Sequence, residues 1–321
     1  MKLLQIFAIL ATLLICKPAL ATPAVYFGAY VNPEGLSVQK SDIDDCSRTV
    51  RQMAAFKSLT GTYPTYAHCW INNGVVDPKD PGKFPIDSLN KMYALGITPV
   101  LNVRCDTPAR LLAGADDVYY RNFAKAAAAF GHPILFRGTG WEFNISDIHS
   151  CNTQSNPAGF VAGWQHIHDI FVQEGATNVL WAWVPAAPRV PAAVLPFYPG
   201  DVYVDRIMFD HYPAGTEEED FTATTNPLPA NLTYWCNRGK SCGIAETAAL
   251  PQNQSAFFNS ITNYLLGKTS YQVPVNFNML LIFDCPGGEN AGHANAPWPL
   301  SSTGASAWRN MVNVINPASI K

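Results

Sequence analysis

Charge is scarce in this chain. Only 14% of its residues are Asp, Glu, Lys or Arg, against about a quarter in an ordinary soluble domain. The two signs nearly cancel, with 21 basic and 24 acidic side chains and a net charge of −3. There is no basic patch, no long run of like charge and no low-complexity tail. A nucleic acid is therefore not expected as a partner. The acidic stretch at 217–220 is short and reads as a solvated loop.

Other absences narrow the chemistry. No C-x-x-C pair occurs, and His166 and His168 stand two apart on a predicted helix, where they point in different directions. His149 near Cys151 is a weak metal signal. Neither a metal nor another cofactor is expected. No G-x-S-x-G elbow appears, which removes the usual signature of a Ser-His-Asp hydrolase. No glycine-rich phosphate fingerprint follows the first predicted strand, and the "GTG" at 138–140 is too short to count as one. No internal repeat and no linker divides the chain, so one domain is expected.

Beyond the first residues, no segment is apolar enough to cross a membrane. The first 21 residues read as a secretory signal: Lys2, the apolar core "LLQIFAILATLLI", and the small-residue site "ALA" at 19–21. Its removal leaves residues 22–321, long enough for one large domain of a secreted, monomeric protein. The chain has eight cysteines, and losing Cys16 with the leader leaves an odd number. Export favours disulfides, and one thiol must stay out of any internal pairing. Sequons stand at Asn144, Asn231 and Asn253. Asn231 and Asn253 are expected on surface loops open to glycosylation, and Asn144 is not.

What the chain does have is alternation. Short apolar runs at 24–31, 64–71, 97–105, 133–138, 178–185, 204–212, 241–246 and 277–284 read as strands. Amphipathic helices are predicted at 44–59, 86–95, 116–130, 157–175, 254–267 and 304–315. A proline-rich stretch with at most a short helix follows the fifth strand, and 213–238 reads as irregular. This order predicts an α/β fold, a single (β/α)8 TIM barrel, with a doubly wound open sheet as the rival.

In such a barrel the carboxyl ends of the strands line the active site. Glu142, in "FRGTGWEFN" at 136–144, follows the fourth strand, and Glu246, in "GIAET", closes the seventh. One reading of Glu142 is structural, a salt bridge to Arg137. The other is chemical, because glycoside hydrolysis needs two carboxylates facing one mouth. Aromatic side chains at strand ends suit sugars, whose apolar ring faces stack on flat rings. Trp141, Trp183, Tyr212 and Trp298 stand at or just after strand ends, and Trp70 is divided between core and cleft. If the cysteines gather on the same face, Cys46–Cys69, Cys105–Cys151 and Cys236–Cys242 are expected pairs, with Cys285 left over.

Three stretches carry a resemblance. "FRGTGWEFN" is similar to a fourth-strand motif of clan A glycoside hydrolases. "FYPGDVYVDRIMFDHY" at 197–212 is similar to a tyrosine-proline-glycine-aspartate run leading into the sixth strand, and "CGIAET" to the seventh-strand nucleophile motif. Together they resemble glycoside hydrolase family 26, whose best-known members are β-mannanases. The resemblance implies a retaining glycosidase with Glu142 as acid/base and Glu246 as nucleophile. It implies that Tyr212 donates a hydrogen bond to Glu246 and that Arg137 helps hold the site. Trp70, Trp141, Asn144, Trp183 and Trp298 complete the expected contacts to a polysaccharide or oligosaccharide. Trp141 stands where mannanases have His, and Arg137 lies one residue further from the acid. Mannan, xylan and glucan are all open as substrates, and a glycan-binding barrel without catalysis is the alternative.

Overall fold

A computed structural model describes residues 24–32, 45–71, 84–103, 105–146, 151, 153–212, 220–285 and 298–316. Eight parallel strands close into a barrel in sequence order. They are β1 (Tyr26–Val31), β2 (Tyr66–Ile71), β3 (Thr98–Val103), β4 (Ile134–Phe136), β5 (Val179–Trp183), β6 (Arg206–Asp210), β7 (Ser241–Glu246) and β8 (Phe277–Asp284). The seam is long: β8 pairs with β1 from Tyr26↔Met279 to Val31↔Asp284. Each predicted strand is found, and closure excludes the open sheet.

The helices are α1 (Asp45–Thr60), α2 (Ile86–Ala94), α3 (Pro108–Leu112), α4 (Asp117–Phe130), α5 (Pro157–Gln173), α6 (Leu228–Trp235), α7 (Gln254–Leu265) and α8 (Ser302–Ile315). Local chemistry sets their ends. Asn156 caps α5 by accepting from the Gly159 N–H, and Pro157 supplies a first residue with no N–H to satisfy. Gly131, at φ 70°, ends α4 in the left-handed conformation that glycine adopts without strain. After β5 only two 3-10 segments form, Pro191–Phe197, with Pro196 inside it, and Asp201–Tyr203.

The stretch at 213–238 is a correction to the sequence reading, because it contains α6. Leu228, Leu232 and Trp235 are buried at helical spacing. Pro227 and Pro229 obscured the pattern, yet proline is tolerated in the first turn of a helix. Asn231 is a second correction. It lies on this helix, fully buried, and its side-chain amide donates to the carbonyls of Pro188 and Pro227. It is no surface sequon.

Three apolar clusters make the core. The largest lies between barrel and helices and includes Phe136, Trp164, Trp181, Trp183 and Trp235. A second fills the barrel, with Tyr66, Val100, Leu135, Ala182, Met208, Ala245 and Met279. A third, of Tyr30, Ala248, Phe283, Cys285 and Trp298, lies at the carboxyl ends of the strands. The disulfides are Cys46–Cys69, Cys105–Cys151 and Cys236–Cys242, as expected, and Cys285 is buried and in no disulfide among the described residues. The proposed leader and His149 lie outside the described residues, as does most of the acidic stretch at 217–220. Among the described residues no helix is long and apolar enough to cross a membrane.

Candidate active site

Along a strand every second side chain points into the barrel. Above the inner apolar layer, the inward positions at the carboxyl ends are His68 and Trp70 on β2, Arg137 just past β4 and Asp210 at the end of β6. Glu246 joins them through an irregularity. Phe209 pairs with Ile244, but the next residue, Asp210, pairs with Glu246, so Ala245 is the extra residue of a bulge. A regular register would put Ala245 beside Asp210. The bulge puts a carboxylate there instead, a common use of bulges beside active sites.

Arg137 holds the two acids together. One terminal nitrogen donates to Glu246 Oε1 and the other to Asp210 Oδ2, with the guanidinium 1% exposed. The structural reading of Glu142 is thereby corrected: the charged nitrogens of Arg137 serve Glu246 and Asp210. His68 Nδ1 stands 3.7 Å from Glu246 Oε1 and 3.5 Å from Arg137. Tyr212 donates to Glu246 Oε2 at 2.5 Å. Glu246 thus has a cation on one oxygen and a hydroxyl donor on the other.

Protonation follows from burial and charge. Burial alone would raise the Glu246 pKa, but the Arg137 charge and the Tyr212 hydroxyl outweigh it and hold the group below its usual range. Asp210 goes the other way. Burial, with the negative charges of Glu246 and Glu142, raises it well above its usual value despite Arg137. Its Oδ1 is buried and has no hydrogen-bond partner. Burial and the Arg137 charge, opposed by Glu246, depress His68 to about 3, so its ring is neutral. One positive charge therefore serves chiefly one negative charge, on Glu246.

Glu142 reaches the same mouth from a tight loop. Gly138 has φ 64°, and a Cβ there would meet the Trp164 ring at 2.3 Å, so only glycine fits. Glu142 itself has φ 51°, a conformation costing a non-glycine residue about 1–2 kcal/mol. Its backbone N–H is fixed on the Val184 carbonyl at 3.0 Å. Its charge acts on both Asp210 and Tyr212. Two residues on, Asn144 both accepts from and donates to the Ala186 backbone, at 2.9 Å each. One N–H and one oxygen lone pair of its amide thus tie the β4 and β5 loops together.

Most of the expected aromatics assemble around the mouth. Trp298 stacks on Tyr212 with ring centres 4.4 Å apart and planes at 18°. Across the opening, Trp70 meets Tyr30 edge-on at 4.3 Å, and Phe283 lies against both Trp70 and Trp298. Trp141 is nearly buried, with the Arg137 guanidinium 5.6 Å from its ring centre. Trp183 is the exception. It is completely buried between barrel and helices, packs on Trp235 at 4.8 Å, and donates its indole N–H to the Phe197 carbonyl at 2.9 Å. On β5 the inward neighbours are Ala182 and Val184, so Trp183 cannot face a substrate. The sequence reading missed His68, Asp210, Tyr30 and Phe283. The available signal was their two-residue spacing from inward partners: Tyr66 and Trp70, Met208, Gly28 and Leu281.

The chain matches no protein-family model. A stretch of 113 residues is 33% identical to endoglucanase H of Acetivibrio thermocellus, covering 33% of this chain and 12% of that protein. The chain thus spans only a small part of the curated relative it matches. Among solved structures, it resembles the catalytic domain of a family 26 endo-β-1,4-mannanase from Bacillus sp. JAMB-750, with a TM-score of 0.63 and 16% identity over 91% of this chain and 86% of that one. A family 26 β-mannanase from Bacteroides ovatus gives a TM-score of 0.62 and 17% identity, covering 91% and 89%. A family 26 protein from Muricauda gives 0.62 and 17%, covering 91% and 86%. Likeness at these identities is likeness of fold: this chain has the barrel found in glycoside hydrolase family 26.

Proposed function

We propose that this chain is an exported, retaining, endo-acting glycosidase of β-linked polysaccharide, with Glu246 as nucleophile and Glu142 as acid/base. The observation that carries the reading is the setting of Glu246: a buried carboxylate kept ionised by Arg137 and oriented by Tyr212, at the mouth of a barrel whose rim is aromatic. The family 26 fold and the stretch shared with an endoglucanase support the same class. Three disulfides agree with export.

The chemistry runs in two displacements. Glu246 attacks the anomeric carbon from one face while Glu142 gives its proton to the departing glycosidic oxygen. The bond to the leaving sugar breaks as the bond to Glu246 forms. Glu142, now a carboxylate, takes a proton from water, whose oxygen attacks the same carbon and releases Glu246. Two inversions give net retention. Trp70, which is partly exposed, and the 6% of Trp298 left open border the sugar units, and neutral His68 adds a polar group beside Glu246.

A panel of β-mannan, β-xylan and β-glucan, assayed by reducing-sugar release, tests this reading. Wild-type protein is expected to release sugar from at least one of them. Glu142→Gln is expected to lose about 10²–10⁴-fold in turnover while its calorimetric affinity for the same glycan stays within about threefold, because the amide keeps the shape and cannot donate the carboxyl proton. Binding without release by the wild type across the panel would instead identify a glycan-binding barrel.

A further inference from the structure

Asp284, the last residue of β8, is an acid with no place in that chemistry. It is completely buried, and its Oδ2 has no hydrogen-bond partner. Its backbone carbonyl closes the barrel seam by accepting from the Asn32 N–H at 2.9 Å. Any residue would do that, so the seam does not explain the carboxyl. The side chain does something else: Oδ1 accepts the Leu300 N–H at 2.8 Å. The next residue, Cys285, accepts the Trp298 N–H on its carbonyl, also at 2.8 Å. These alternate N–H groups register the returning segment 298–300 against the end of β8. Trp298 then lies flat on Tyr212, whose hydroxyl holds Glu246.

We infer that Asp284 is the positioning residue for the Trp298 platform: its carboxyl fixes Leu300, and through it the angle at which Trp298 meets Tyr212 and an incoming sugar. The subsite role of Trp298 rests on the glycosidase reading above, but its placement by Asp284 does not. The bond needs an acceptor oxygen and no charge. Burial pushes the Asp284 carboxyl up to about 7, against the pull of the Leu300 N–H, and the carboxyl can accept in either state. Asparagine therefore substitutes, whereas an apolar side chain of similar size does not. The segment also has an outside anchor. Gln254 on α7 donates to the Pro299 carbonyl and accepts from the Ser301 N–H, both at 2.9 Å. Loss of the Asp284 bond should therefore tilt Trp298 without unfolding the barrel.

The test compares full-length wild type, Asp284→Leu, Asp284→Asn and Trp298→Leu. Near-ultraviolet circular dichroism reads the Tyr212–Trp298 stack with no substrate. Asp284→Leu is expected to lose the part of the spectrum that Trp298→Leu loses, with far-ultraviolet signal unchanged, and Asp284→Asn to keep it. On the glycan that wild type hydrolyses best, Asp284→Leu should raise KM about tenfold with kcat within about threefold, and Asp284→Asn should stay within about twofold on both. A wild-type spectrum and wild-type KM in Asp284→Leu would overturn the inference. Should Asp284→Leu fail to fold, Asp284→Ala takes its place with the same two outcomes. No turnover by wild type on any glycan would count against the glycosidase reading. The spectra would then decide the placement of Trp298 by themselves.

Discussion

Glu246→Ala is expected to lose at least about 10⁴-fold in turnover on the best glycan while remaining folded, because it removes the atom that forms the covalent bond. The fold should survive for an electrostatic reason. In the wild type a single buried guanidinium faces both Glu246 and Asp210. Without Glu246, Arg137 keeps Asp210 as a full partner, and Asp210 loses one of the charges that raise its pKa. Azide offers a sharper readout. A small anion can occupy the space left by the carboxylate, balance Arg137 and attack the anomeric carbon. Added azide should therefore recover part of the turnover, with a glycosyl azide of inverted configuration as product. Full activity in Glu246→Ala without azide would show that Glu246 is not the nucleophile.

Arg137→Leu is expected to carry the largest stability cost of any single change in the site, about 3–5 kcal/mol at pH 7. It leaves two buried carboxyls, Asp210 and Glu246, with no cation between them. The pH dependence should change sign at Glu246. In the wild type its folded pKa lies below the usual range, so its contribution to stability is present above the unfolded value and lost as pH falls through the folded one. In the variant burial is unopposed by Arg137, and the folded pKa rises. The contribution is then present below the unfolded value, about pH 4, and lost as pH rises. Urea unfolding at pH 4.5 and pH 7 reads this directly: the gap between variant and wild type should be smaller at the lower pH. An equal gap at both would mean that Arg137 acts by packing alone.

Much of this was legible in the sequence. The eight strands and the longer helices follow from apolar runs bounded by glycine, proline and capping residues. The two acids follow from the rule that strand ends meet at one mouth. The losses have physical causes. In a closed parallel barrel both faces of a strand are buried, so the polar–apolar alternation that tells inside from outside is erased. "LWAWVP" gives no sign that Trp183 turns outward. His68 is a single polar residue in an apolar run. Asp210 acquires its meaning from Arg137, 73 positions earlier in the chain, and from a bulge that no residue of "CGIAE" announces. The left-handed backbone of Glu142 is equally silent in the sequence. Asn231 belongs to a sequon by pattern and to the core by folding, because α6 starts among prolines.

In the proposed reaction Glu246 and Glu142 act in succession on one anomeric carbon, and the configuration of the first product tests this most directly. Proton NMR of a β-glycan digest, recorded before mutarotation equilibrates the new reducing end, distinguishes the two anomers. Two displacements predict that the β-anomer appears first. First appearance of the α-anomer would mean a single displacement by water, and would contradict the role given to Glu246.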